Sequence, residues 1–79
     1  MESAEAIMHK YQRIRDMRED NDMTQAAVAA VLGVSRQQYA RWESGANEIP
    51  LHKLITLARL YNVSLDFLAG LIDEPRPLV

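Results

Sequence analysis

Polar side chains able to contact the edges of bases cluster between residues 36 and 41. On a helix with about 100° per residue, one arc of about 140° carries Arg36, Gln37, Ala40 and Arg41. Arg can fork to O6 and N7 of guanine, Gln can pair with N6 and N7 of adenine, and an Ala methyl can touch thymine. The arc therefore suits base recognition, although a lone helix of this kind is more often a solvated polar face.

The opposite side of the same stretch carries Tyr39 and Trp42, two large aromatic side chains that need burial. Ser35 offers a side-chain oxygen to the unpaired backbone donors at the start of a helix, and Gln38 follows in capping-box position. Gly45 ends the stretch. The pattern predicts a helix with one buried face and one displayed face.

A second short helix precedes this one. Thr24 is a suitable N-cap, and Val28, Ala29 and Leu32 share one side of the helix, where the small Ala lets another helix approach closely. Gly33 then ends the helix, where a residue of positive φ is needed. Helix, Gly-containing turn and helix is the plan of the DNA-binding helix-turn-helix motif.

Over residues 14–71 the chain resembles the lambda-repressor-like, or Cro/cI-type (XRE), helix-turn-helix proteins. The resemblance rests on the pattern TQ…VA..LGVS…Y.RWE.G. With the apolar periodicity, it predicts an all-α fold, a compact five-helix DNA-binding domain. The predicted helices span about 3–20, 25–32, 36–44, 50–61 and 65–69.

The resemblance also implies roles for individual residues. Base-edge contacts fall to Arg36, Gln37 and Arg41, and the residue chemistry adds Ala40. Contacts to the DNA backbone fall to Gln25, Ser35 and Gln38, with Gln25 binding a phosphate from the N-terminus of the first motif helix. Arg18 and Glu43 are expected to form a structural ion pair.

The loop after the second motif helix departs from the family pattern. Family members often carry basic residues there that bind phosphates, whereas this chain has Asn47 and Glu48. Asn47 can still bond a phosphate through its side chain or its backbone amide, but Glu48 should repel one. Lys53, outside the apolar stripe of the next helix, is a further candidate for a backbone contact.

Apolar spacing predicts the remaining helices. The first, capped by Ser3, has a stripe at Ile7, Tyr11, Ile14 and Arg18, joined by Met17. Its early apolar residues, Ile7, Met8 and Tyr11, either pack on the domain or form a partner surface. The fourth begins with Pro50 as its first residue and has a stripe at Leu51, Leu54, Ile55, Ala58 and Tyr61. The last, capped by Ser64, supplies Leu65, Phe67 and Leu68 to the core.

We divide the chain into an N-terminal extension of the first helix (1–13), the helix-turn-helix domain (14–71) and a Pro-containing tail (72–79). Two prolines near the end of the tail forbid a regular helix. Its apolar residues either fold back over their own domain or dock on a second subunit.

Composition excludes several classes of protein. The 79 residues include no Cys and two separated His, so we expect neither disulfides nor a zinc site, no cofactor and no enzymatic chemistry. No apolar run approaches a membrane span, and the N-terminus is unlike a secretory signal, so we expect a cytoplasmic protein and no membrane partner.

Charge is distributed unevenly along the chain, which has a net charge of −2. Residues 1–22 carry four bases and six acids, residues 23–64 four bases and two acids, and residues 65–79 one base and three acids. The segment with the helix-turn-helix is the only positive one. Overall acidity should weaken non-specific phosphate attraction.

Two functions fit this sequence. The first is a sequence-specific transcriptional regulator, a homodimeric repressor of phage, mobile-element or bacterial origin, whose partner is a double-stranded DNA operator. Two recognition helices about 34 Å apart would multiply its affinity and specificity. The second is an antitoxin-like or other protein-interaction module, with a partner such as a toxin and weak DNA binding of its own.

Overall fold

A computed structural model of the protein describes residues 12–78. These residues form five helices: α1 (12–20), α2 (Gln25–Leu32), α3 (Arg36–Ser44), α4 (Leu51–Tyr61) and α5 (Leu65–Leu68). The predicted all-α fold is confirmed. The predicted start of α1 at residue 3, and the residues Ile7, Met8 and Tyr11, lie outside the described part of the chain.

Side-chain caps begin three of these helices, as the sequence predicted. Each cap oxygen accepts a hydrogen bond from the backbone N–H three residues later, which satisfies one of the unpaired donors of the first turn. The pairs are Thr24 with Ala27, Ser35 with Gln38, and Ser64 with Phe67.

Gly33 ends α2 with φ of +74°, in the left-handed region. A Cβ built on Gly33 would have nothing within 4 Å, so backbone conformation and not space favours glycine here. Its backbone N–H turns back toward the carbonyl oxygens of Ala29 and Ala30. The turn places α3 directly after α2 in the predicted helix-turn-helix arrangement.

The core lies where α1, α2, α3, α4 and α5 converge. It is built from apolar and aromatic residues that are almost completely removed from solvent: Ile14, Val28, Ala29, Leu32, Tyr39, Trp42, Leu57, Ala58, Tyr61, Val63, Phe67 and Leu68. Burial of both aromatic residues of α3 agrees with the predicted helix orientation.

The predicted apolar face of α4 is confirmed at Ala58 and Tyr61, which are buried, and at Leu54, which packs against the core. It is wrong in two places. Leu57, left out of the predicted stripe, is fully buried, whereas Leu51 is 65% exposed. The buried face centres on Leu57, Ala58 and Tyr61, and Leu51 at the start of α4 lies beyond the core. Pro50 is the N-cap residue, with ψ of 147°, and not the first helical residue.

The tail folds back over its own domain. Ser64 donates its backbone N–H to the carbonyl oxygen of Arg76 at 2.7 Å, and Leu78 donates to Oδ1 of Asn62 at 3.2 Å. Ile72 packs against the core. Residues 72–78 thus fold back over their own domain, which was the first of the two alternatives for the tail.

Arg13 of α1 holds the start of the tail. Its guanidinium donates to the carbonyl oxygen of Asp73 at 3.3 Å and to Oδ1 of the same residue at 3.4 Å. The guanidinium carbon also lies 4.4 Å from the centroid of the Phe67 ring, within reach of a cation–π interaction. Arg13 therefore links α1, α5 and the tail.

A polar cluster joins the first three helices around the Glu43 carboxylate. Arg18 of α1 donates from Nε to Glu43 Oε2 at 2.6 Å, and Tyr39 donates its hydroxyl to the same oxygen at 2.5 Å. Gln25 of α2 donates from Nε2 to Oε1 at 3.1 Å. Only 5% of the Glu43 side chain is exposed, so its charge is stabilised mainly by these partners.

These contacts shift the pKa values of the cluster. Burial alone would raise the pKa of Glu43, but the hydrogen bonds from Arg18, Tyr39 and Gln25 outweigh it, so that this pKa lies below its ordinary value of 4.5. Burial and the hydrogen bond to the Glu43 carboxylate together raise the pKa of Tyr39. At neutral pH, Glu43 is ionised and Tyr39 is protonated.

No helix within residues 12–78 has both the length and the apolar character needed to cross a membrane.

The revised face of α4 is testable with two matched substitutions. Leu57→Ala should lower the free energy of unfolding by about 2–5 kcal/mol because it leaves a cavity in the core. The control Leu51→Ala changes the same residue type on the same helix and should cost less than about 0.5 kcal/mol. Urea denaturation measures both, and equal losses would show that the assigned face is wrong.

The lowered pKa of Glu43 predicts acid sensitivity. A carboxylate with a lower pKa in the folded than in the unfolded state stabilises the fold above its unfolded pKa, and this contribution is lost as pH falls through the folded pKa. The stability difference between wild type and Glu43→Gln should therefore be largest at neutral pH and shrink below about pH 4.5. Urea denaturation from pH 7 to pH 3 tests this; a constant difference would contradict it.

Candidate nucleic-acid interface

The displayed face of α3 consists of Arg36, Gln37, Ala40 and Arg41. The side chains of Arg36, Gln37 and Arg41 are exposed, and Ala40 is half-buried between them. Tyr39 and Trp42 occupy the opposite side, in the core. The structure therefore brings together all four residues that the sequence analysis assigned to base contacts.

The N-terminus of α3 holds two of the predicted backbone-contacting residues. Ser35 uses its oxygen as an acceptor for the backbone N–H of Gln38, so its exposed hydroxyl can still donate its proton to a phosphate. The Gln38 side chain is half-buried beside it. Both residues lie at one end of the displayed face.

Asn47 lies just beyond the other end of α3. Its backbone N–H donates to the carbonyl oxygen of Arg41 at 3.2 Å, which removes one of the two predicted ways of bonding a phosphate. The exposed side-chain amide is the group that remains for such a contact.

Lys53 has a structural partner that the sequence analysis missed. Its ammonium donates to the carbonyl oxygen of Leu32 at 2.6 Å, and the residue is half-buried. Leu32 is the last residue of α2, where unpaired carbonyls and the helix dipole attract a cation. Lys53 thus ties α4 to α2, and its ammonium already has a hydrogen-bond partner there.

Gln25 connects the polar cluster to the displayed face. Its Nε2 donates to Glu43, and its Oε1 accepts a hydrogen bond from Nη1 of Arg36 at 3.3 Å. The sequence suggested only a phosphate contact for Gln25. Spacing along the chain carried no signal for this bridge, because Arg36 is eleven positions away on another helix.

A surface depression of about 290 Å³ lies beside Gln25, between α1 and α3. It is lined by Arg15, Arg18, Gln25, Ala40, Glu43 and Ser44. Arg15 was missed by the sequence analysis; it is exposed and pairs with Glu19 at 3.1 Å, one turn along α1. It adds a cation to the rim beside the displayed face.

The side chains gathered on this surface are guanidinium groups, amides and a hydroxyl. Such groups donate and accept hydrogen bonds and attract anions, so the arrangement can bind base edges and phosphates. Among residues 12–78, no group of three or more His, Asp or Glu side chains is placed to hold a metal ion.

Comparison with known proteins identifies the same segment. A protein-family model described as helix-turn-helix matches residues 14–68. A curated relative, an uncharacterized HTH-type transcriptional regulator YobD of Bacillus subtilis (strain 168), is 40% identical over 68 residues. That match covers 86% of this chain, which spans 61% of the length of the relative.

Solved structures share the fold. The restriction-modification controller protein C.AhdI from Aeromonas hydrophila superimposes with a TM-score of 0.69 at 23% identity, over 82% of this chain and 97% of that one. FeII HppE matches with a TM-score of 0.70 at 30% identity, over 82% of this chain but only 34% of that one.

The HppE match concerns about a third of that protein, so it extends the shared fold and not an activity to this chain. The family model, the curated relative and the C.AhdI fold all cover the helices that build the displayed face. The chain belongs to the XRE-type helix-turn-helix family of DNA-binding transcription regulators.

Proposed function

We propose that this protein is a sequence-specific double-stranded DNA-binding repressor that acts as a homodimer and places α3 in the major groove. The observation that carries this proposal is the division of α3 into two faces. Tyr39 and Trp42 fix one face in the core, and Arg36 and Arg41 stand exposed on the other. A helix held in this way presents its polar face at a constant angle.

Each group on the displayed face has a chemical match in the groove. The guanidinium groups of Arg36 and Arg41 suit guanine O6 and N7, the Gln37 amide suits adenine N6 and N7, and the Ala40 methyl suits the methyl of thymine. Around them, the Ser35 hydroxyl, Gln38 and the Asn47 amide have the chemistry to bond phosphates.

The distribution of charge along the chain favours DNA binding that depends on the base sequence and on the salt concentration. Residues 23–64 carry a net charge of +2, while the segments before and after them each carry −2. The acidic flanks reduce the general attraction to DNA phosphates, so base contacts must supply much of the affinity. Binding should weaken steeply as salt rises.

The small size of the displayed face favours a dimer. One recognition helix contacts only a few base pairs, and two copies about one helical turn, or about 34 Å, apart would combine their specificities. A dimer bound over a promoter would exclude RNA polymerase. The relative is named as a transcriptional regulator and C.AhdI as a controller protein, and both names support a regulatory role.

A second candidate function is an antitoxin-like or other protein-interaction module. The observation in its favour is an apolar, acidic segment that begins at the end of the domain and continues into the tail: Leu71 is 75% exposed and Leu78 43% exposed, and the acids Asp73 and Glu74 lie between them in sequence. A stable complex with a toxin-like partner, together with sequence-blind DNA binding, would favour this function over the first.

Selection of bound duplexes from a random library tests the proposal. Wild type should recover a two-fold symmetric motif with half-sites about one helical turn apart. The double variant Arg36→Ala, Arg41→Ala should recover none. Wild type and variant behaving alike, without a motif, would reject the proposal.

A single substitution tests the role of Arg41. Arg41→Ala should weaken binding to the selected site by about 1–3 kcal/mol and relax the preference at one base position. The control Arg59→Ala removes the same exposed charge from α4, away from the displayed face, and should leave base preference unchanged. Fluorescence anisotropy with point-substituted duplexes measures both; uniform weakening by Arg41→Ala would mean that Arg41 contacts phosphate only.

A further inference from the structure

The depression between α1 and α3 opens beside the displayed face. Its volume is about 290 Å³, larger than one phosphate group, and its lining consists of Arg15, Arg18, Gln25, Ala40, Glu43 and Ser44. Ala40 also belongs to the displayed face, so the two surfaces are continuous. With α3 in the major groove, as we propose, the depression would face the sugar–phosphate backbone that borders the groove.

Most hydrogen-bond donors that line the depression already have partners. Arg18 donates from Nε and Nη2 to the Glu43 carboxylate, and Gln25 donates to it from Nε2. The Ser44 hydroxyl donates to the carbonyl oxygen of Arg41 at 3.1 Å. These groups stabilise the packing of the helices and have little left to offer an incoming anion.

Arg15 is the lining residue whose donors remain available. Its side chain is 56% exposed, and its Nε donates to Glu19 Oε2 at 3.1 Å. Among residues 12–78, neither of its terminal amino groups has a partner. A guanidinium used in this way can still bind two phosphate oxygens side by side.

The charge of the lining favours an anion. Two guanidinium groups, those of Arg15 and Arg18, lie opposite a single carboxylate, that of Glu43. Arg18 and Glu43 form an ion pair at 2.6 Å and neutralise each other. The charge of Arg15 is therefore the net charge of the lining.

The ion pair with Glu19 allows Arg15 to change partner. Both side chains are more than half exposed, so water screens their attraction. Arg15 precedes Glu19 by four residues, which is the less favourable order for such a pair on a helix. A phosphate held in place by a bound duplex offers the guanidinium a stronger, charge-assisted contact.

From this geometry we infer that the depression receives a phosphate of the DNA backbone and that Arg15 binds it, exchanging Glu19 for the phosphate. The inference rests on the proposed function and extends the interface from the helix-turn-helix onto α1. Arg15 contributes affinity without base preference, because phosphates carry no sequence information. Glu19 competes with DNA for the guanidinium and thereby limits the affinity.

Two variants with opposite expected effects test this contact. Arg15→Gln removes the charge with little change in helix propensity. It should weaken binding about tenfold at low salt, the effect of one charge-assisted hydrogen bond, and equally on the selected duplex and its single-base substitutions. The slope of log affinity against log salt should become shallower by about 0.9. Glu19→Gln should tighten binding, and most of this gain should vanish in the double variant.

Methylphosphonate substitution locates the phosphate. Neutralising one phosphate at a time in the selected duplex should reveal a position in each half-site where wild type loses affinity and Arg15→Gln loses no more. The control Arg59→Gln makes the same change at an exposed residue of α4 and should keep the wild-type profile and salt slope. Thermal unfolding checks that every variant is folded.

The outcomes separate this inference from the function on which it rests. A wild-type salt slope and methylphosphonate profile in Arg15→Gln would overturn the inference and leave the proposed function intact. Loss of preference at one base position would show that Arg15 contacts a base, which would also overturn it. Failure of wild type to recover any motif would overturn the proposed function, and the inference with it.

Discussion

The structure depends on a buried negative charge that three helices share. The Glu43 side chain is 5% exposed, and its carboxylate accepts hydrogen bonds from Arg18 of α1, Gln25 of α2 and Tyr39 of its own helix. A buried ion left without partners costs several kcal/mol, so the helices must keep the positions that supply these hydrogen bonds. The cluster therefore sets how α3 lies against α1 and α2, in addition to the apolar packing beneath it.

The hydrogen bonds around Glu43 link the packing of the helices to the DNA contacts that we propose for α3. Arg41 stands on a helix whose opposite side is fixed by Tyr39 and Trp42, and the neighbouring Arg36 is tied through Gln25 to the same buried carboxylate. A preorganised surface loses less conformational entropy on binding and holds its contact groups in a defined register. Lys53 of α4 also stabilises this arrangement, because its hydrogen bond to the carbonyl oxygen of Leu32 fixes the end of α2 immediately before the turn.

Local signals in the sequence predicted the helices and the displayed face, because caps and helical periodicity act over a few residues. Ser35 and Thr24 were recognisable as caps, and the opposed faces of α3 followed from the positions of Tyr39 and Trp42. The α4 face was mistaken at Leu51 because this residue fits the same helical spacing, and only the extent of the core shows that it lies outside. The partners of Lys53 and Gln25 lie on other helices, so no local pattern could reveal them.

In the function we propose, the displayed face of α3 contacts bases from the major groove. Methylation interference on the selected duplex tests it most directly, because dimethyl sulfate modifies guanine N7 in the major groove and adenine N3 in the minor groove. We expect N7 methylation of guanines in both half-sites to block binding and N3 methylation of adenines there to leave binding unchanged. Interference by N3 methylation alone, or by neither, would contradict major-groove recognition by α3.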